Sequence, residues 1–403
     1  MQTTGRRMMV GLGALAAGLV ACGVGAPVPG GGAAGTTTER QGGTGGATAG
    51  AGGAGGHAGA NTGGQGASAA GGTVGDGGRG GNGGAGTGGV GAEPRPDASA
   101  ADSGTGGAAP DAAASDVPPP RPAICDNLPA LPVTYKVKRG PKASEDFTFD
   151  REGNLVSVDN RSGNIFKSPF AGKPVLFAPT RFAGGTAGTR MLPNGDLVVA
   201  EVGGGSLFRV NPAGVKTRLA SGFAYPNGIE IHLDGSIFVA DQENRRIVKV
   251  DPVTGKSTIF VSGPLLGAPN GVTFSQDYRI LYIGDFERGR VLAVDVNPDG
   301  TGATPRVLVA RIGDRQLDGM AVDECGNVYV DEYEAAKVWR VTPDGKLSLA
   351  VDISKDSGWI PNMQWGSGIG GWDPNILYVS DREADVVYEV ALGVKGKRVA
   401  HLP

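Results

Sequence analysis

The sequence predicts an all-β fold, a six-bladed β-propeller of four-stranded blades, and three observations lead there. An alternating apolar run closed by an acid recurs six times, with the acids Asp159, Glu201, Asp241, Asp285, Asp331 and Asp381 spaced 42, 40, 44, 46 and 50 residues apart. Between the copies lie only short β-like runs and Gly, Pro, Asn or Asp turns, with no helical periodicity. All the aromatic residues lie at or after Tyr135, while 39 of the 73 glycines fall within residues 1–120. A third-glycine segment without aromatics cannot bury enough apolar surface to offset its chain entropy. The foldable part is therefore roughly 280 residues, one large domain.

Taken from the front, residues 1–21 read as an export signal: Arg6-Arg7, an apolar core from Met8 to Val20, and a small-residue cleavage site. The core is too short to span a bilayer. Cys22 follows Leu19-Val20-Ala21 and resembles the lipidated cysteine of bacterial lipoproteins. The expected location is the cell envelope, on the periplasmic face or the cell surface, with the outer membrane preferred and Cys22 as anchor. Residues 22–122 lack a Gly-X-Y period and read as a disordered tether, reaching roughly 50–60 Å by coil statistics. The propeller is expected over 123–403. Cys125 and Cys325 remain after Cys22, an even pair that permits one disulfide in an oxidising compartment, the alternative being two unpaired thiols.

Each unit supplies strands in order. Ser236-Ile237-Phe238-Val239-Ala240-Asp241 is a second strand, Ile247-Val248-Lys249-Val250 a third, and Ser257-Thr258-Ile259-Phe260-Val261 a fourth after the Asp251-Pro252-Val253-Thr254-Gly255 turn. Val133 to Lys138 can complete the last blade and staple the ring. Since an acid ends the second strand in all six units, a shared structural role is expected for it.

Residues at the head of each first strand can meet at one mouth of the central channel. They read Glu145, Asn227, Asn270, Asp318 and Asn362, with only Gly185-Thr186-Ala187 in the second unit. Carboxylates and amides converging on one point form an all-oxygen set for a hard divalent cation, Ca²⁺ first, then Mg²⁺ or Mn²⁺. Zn²⁺ ranks behind them, because His57, His232 and His401 are scattered. The alternative is structural, since Pro-Asn-Gly is also a turn sequence. Tyr225, Phe286, Met320 and Trp365, with Phe147 and Met363, are candidate pocket walls or core. The formal charge of −3 offers no basic field for nucleic acid.

At these residues the sequence resembles the SMP-30/gluconolactonase/LRE-like family of six-bladed propellers, with paraoxonases and diisopropylfluorophosphatase as distant relatives. The resemblance rests on Glu145, Asn227, Asn270 and the segment Asp318-Gly319-Met320-Ala321-Val322-Asp323. It implies that the first four of these bind one divalent cation, and that Asp318 activates water or attacks directly in hydrolysis of a lactone or other ester. Two departures stand out. Asp146-Phe147 follow Glu145 where the family has Gly-Pro, and Tyr225 stands where sugar-lactone members have a substrate-binding Arg. No Gly-x-Ser-x-Gly elbow is present, which argues against a serine hydrolase. The expected protein is a monomeric, membrane-tethered metal-dependent hydrolase. The alternatives are a non-enzymatic NHL-like propeller that binds a protein or envelope polymer, and a propeller whose cation is structural.

Overall fold

A computed structural model of the chain describes residues 121–403 apart from 183 and 315. The export segment, Cys22 and the glycine-rich stretch to residue 120 lie outside the described residues. The described chain forms six four-stranded antiparallel sheets, the blades of a propeller. Blade 3 shows the plan: Pro226–Ile231 innermost, then Ile237–Asp241, Arg246–Val250 and Ser257–Ser262 outermost. Blades 1, 2, 4 and 5 repeat it over 147–178, 186–221, 269–309 and 317–352. Blade 6 joins both ends of the fold. Its three strands within 363–391 take Tyr135–Arg139 as their outer strand, from Tyr135 opposite Val390 to Arg139 opposite Val386. That pairing closes the ring and leaves no gap between first and last blades.

Apolar side chains pack between blades. Leu192, Val198 and Leu207 of blade 2 meet Ile229, Val239 and Val248 of blade 3 in one cluster, and equivalent clusters lie at the other five junctions. At the closing junction Trp372 is fully buried and donates its indole N–H to Gly153 O at 3.0 Å. Cys125 and Cys325 are bonded, tying the segment before the ring to blade 5 across 200 residues. Closing so long a loop removes about 5 kcal/mol of unfolded-chain entropy in the simple chain model.

The channel's lower end is crossed by the C-terminal segment. Lys397 pairs with Glu230 at 3.0 Å, both nearly buried. Tyr278 donates to Arg398 O at 2.7 Å, Arg151 Nε to His401 O at 2.6 Å, and His401 Nε2 lies 2.8 Å from Phe149 O. Burial pushes the His401 imidazole down to about 4, so it is neutral at physiological pH. A cavity of about 370 Å³ lies between this strap and the ring.

Candidate functional site

The upper mouth is built on one repeated position. The first regular pairs of the six innermost strands begin at Phe147, Thr189, Ile229, Val272, Met320 and Met363. Two residues earlier stand Glu145, Ala187, Asn227, Asn270, Asp318 and Pro361, and all six line a single cavity of about 10 Å³. That is room for about one water-sized sphere. Glu145, Asn227, Asn270 and Asp318 are thus brought together from blades 1, 3, 4 and 5.

Asn227, Asn270 and Asp318 are each the second residue of an innermost strand, at a register shift, rather than ahead of it or in a turn. This corrects the turn reading of Pro-Asn-Gly. The glycine that follows serves a close approach between blades. A Cβ on Gly188 would meet Asn227 O at 2.3 Å, one on Gly228 would meet Asn270 O at 2.2 Å, and one on Gly271 would meet Asp318 O at 1.8 Å. Glycine is required there because each inner strand leans on the backbone of the next head residue.

Asn362 also lines the cavity but stands one position later than the other head residues, a correction to its assignment. Its Oδ1 accepts from Met363 N, as Asp146 Oδ1 accepts from Phe147 N. Met320 lines both this cavity and the lower one, whereas Trp365 lines only the lower one, where Gly396 packs on its ring. Phe147 and Met363 are fully buried. Tyr225 and Phe286 stand on the rim: Tyr225 O accepts from Gln242 N, and Phe286 N donates to Ala268 O.

The repeated acids pin that rim. Asp241 accepts from Ala224 N and Tyr225 N and pairs with Arg246 at 2.7 Å, while Asp285 accepts from Ala268 N and pairs with Arg290. In blade 5 the cross-strand register shows that the equivalent acid is Glu332, opposite Leu317 and Lys337, and not Asp331. Asp331 instead occupies the position held by Val158, Ala200, Ala240, Gly284 and Ser380 in the other blades. It is completely buried behind Asp318, accepting from Asp318 N at 3.3 Å and Gly319 N at 3.1 Å. Sequence reasoning missed this extra carboxylate; the adjacent pair Asp331-Glu332, where other units carry a single acid, was the available signal.

Negative charge exceeds positive around the cavity. Glu145 pairs with Arg382, and Asp146 pairs with Arg190 at 2.5 Å. Among the described residues Asp318 and Asp331 have no such counterion. Burial, and then the Asp146 charge, pushes the Asp318 carboxyl well above the usual range, against a lowering hydrogen bond from Asn270. Burial, and then Asp318, does the same to Asp331. Asn270 Oδ1 is buried without a hydrogen-bond partner, while Asn227 gives its amide N–H to Gln242 at 3.2 Å and keeps its oxygen available. An orphaned buried oxygen, two uncompensated carboxylates and ion-sized space fit a divalent cation. Among the described residues no three His, Cys, Asp or Glu side chains form a metal-ligating group, as expected for a set half made of amides.

Residues 255–383, which include Asn270 and Asp318, match the family model described as the SMP-30/Gluconolactonase/LRE-like region. Over these residues the chain is similar to that family. No curated protein matches it. Among solved structures it is similar to a calcium-binding protein, regucalcin, from Agrobacterium tumefaciens, with TM-score 0.54 and 19% identity over 67% of this chain and 97% of that one. It is also similar to a gluconolactonase from Xanthomonas campestris, with TM-score 0.53 and 17% identity over 65% and 89%. A luciferin-regenerating enzyme gives TM-score 0.54 and 17% identity over 67% and 99%. At such identities these likenesses establish the shared propeller fold.

Proposed function

We propose that this SMP-30/gluconolactonase/LRE-like propeller is a divalent-cation-dependent hydrolase of lactones or related esters. The observation that carries the reading is the convergence of Glu145, Asn227, Asn270 and Asp318, from four blades, on one ion-sized cavity. The family match supports hydrolase-type chemistry. These four residues would hold the cation, with Ca²⁺ the first candidate for an all-oxygen set. When bound, the cation supplies Lewis acidity toward an ester carbonyl oxygen. Asp318 would act in its ionised form, accepting a proton from water at a carboxylate oxygen, and its raised proton affinity makes that carboxylate the stronger base. Asp331 fixes the backbone of Asp318 and Gly319, so the Asp318 carboxylate is held in place before substrate arrives.

The test is metal analysis of the full chain, then a panel of lactones and aryl esters with and without chelator. Turnover lost on metal removal and restored by Ca²⁺ supports the reading. Activity that persists in metal-free protein overturns it.

Secretion and tethering at Cys22 complete the proposal. The Cys125–Cys325 bridge supports an oxidising compartment, and a lipid on Cys22 would hold the propeller, as a monomer, to the envelope. Cys22→Ser should release the protein from the membrane fraction.

A further inference from the structure

The residue immediately after each second-strand acid occupies a second ring of equivalent positions around the upper mouth. Asn160, Val202, Gln242, Phe286, Tyr333 and Arg382 fill it. Three of these serve the cavity's own residues: Asn160 faces Glu145 at 3.5 Å, Gln242 accepts from Asn227, and Arg382 pairs with Glu145. Blades 4 and 5 instead present aromatic rings. Phe286 and Tyr333 have centroids 6.4 Å apart and are tilted 47°; Tyr333 and Trp359 are 6.1 Å apart and within 10° of parallel. Trp359 is 39% exposed, far more than burial in a core would leave an indole.

Backbone bonds fix this arc to the cavity wall. Gln316 N donates to Phe286 O at 2.8 Å, Tyr333 N to Gln316 O at 3.0 Å, Ile360 N to Tyr333 O at 3.1 Å, and Arg382 N to Trp359 O at 3.1 Å. Gln316 lies two residues before Asp318, and Ile360 directly precedes the cavity-lining Pro361 and Asn362. The mouth is therefore two-sided, polar on blades 1, 3 and 6 and aromatic on blades 4 and 5.

Resting on the hydrolase reading, we propose that Phe286, Tyr333 and Trp359 form the specificity surface of the site and take a planar aromatic group of the substrate, as in an aryl ester or a benzo-fused lactone. A face and a tilted edge offered together suit an aromatic ring, which gains from stacked and edge-on contacts alike. A sugar ring would need hydrogen-bonding groups around its platform, whereas the polar side chains of this ring of positions, Asn160, Gln242 and Arg382, are engaged with Glu145 and Asn227.

Binding is tested by saturation-transfer NMR on the full chain in chelator, with benzyl alcohol, cyclohexylmethanol and methyl glucoside as probes. Benzyl alcohol should give the strongest ring-proton signal, reduced severalfold in Trp359→Ala and Tyr333→Ala and retained in Asp318→Asn. An equal signal from either saturated probe, or an unchanged signal in both aromatic variants, overturns the assignment. This arm needs no turnover, so its failure is separable from that of the hydrolase reading. In turnover, Trp359→Ala should raise KM for phenyl acetate about tenfold with kcat within twofold, and leave KM for γ-butyrolactone unchanged. An equal rise for both substrates also overturns it.

Discussion

The two ends of the channel solve the problem of buried charge in opposite ways. At the lower end every principal group has a partner: Glu230 has Lys397, His401 has Phe149 O, and Tyr278 has Arg398 O. At the upper end, among the described residues, two carboxylates lack counterions and Asn270 Oδ1 lacks a hydrogen-bond partner. A satisfied buried network is what a structural plug requires. A buried site with charge left over costs stability, and such sites cluster where something binds. The lower end thus reads as closure and the upper as chemistry.

Substitutions at the two ends should separate turnover from stability. Asp318→Asn should lower kcat by about 10²–10⁴ with no loss in the unfolding midpoint. Lys397→Ala strands the buried Glu230 and should cost about 3–5 kcal/mol in urea unfolding, while the folded protein keeps kcat within a few-fold. Matching losses of turnover in both variants would abolish the distinction.

The ends should also respond oppositely to pH. Asp318 and Asp331 have raised pKa values, so the folded state binds their protons more readily than the unfolded chain does. Their contribution to stability is full below the ordinary carboxylate range and is lost as pH rises through the raised values. Asp331→Asn should therefore raise the melting temperature at pH 8 and leave it unchanged at pH 4. A cation held by Asp318 would displace that residue's proton, so Ca²⁺ affinity measured by calorimetry should climb between pH 5 and 8, where ordinary carboxylates are already charged. His401 has the reverse sign. Its lowered pKa contributes stability above the imidazole's ordinary value, lost as pH falls toward about 4. Protection factors of amides in residues 395–403, taken against the intrinsic exchange rate at each pH, should fall on acidification, and His401→Gln should flatten that response.

The smallest effect concerns the guanidinium that shares Glu145. Arg382→Gln removes a positive charge beside the cavity and should tighten Ca²⁺ binding about tenfold, roughly 1.4 kcal/mol. Unchanged affinity would mean that Glu145 does not contact the ion.

Sequence periodicity was sufficient for the blades because strand alternation and turn chemistry are local, and their sixfold recurrence exposes the repeat. The head residues were legible for the same reason: Asn227, Asn270 and Asp318 each precede a glycine in matching units. Asp331 was not legible as distinct, because a one-residue difference in where a run ends looks like ordinary variation until cross-strand pairing assigns Glu332 to the rim and Asp331 to the interior. Asn362 was placed one position early for the same cause.

The sequence by itself determined a six-unit β repeat, its closing strand and the oxygen-rich chemistry of its head residues, since these depend on residue type and spacing along the chain. Only the tertiary structure decided that four heads share one small cavity, that Asp331 stands behind Asp318, and that a C-terminal strap closes the far end. Those outcomes depend on which side of a strand faces the axis and how closely neighbouring blades approach. Strand register and the glycine contacts at 188, 228 and 271 fix them, and neither can be read along a single strand.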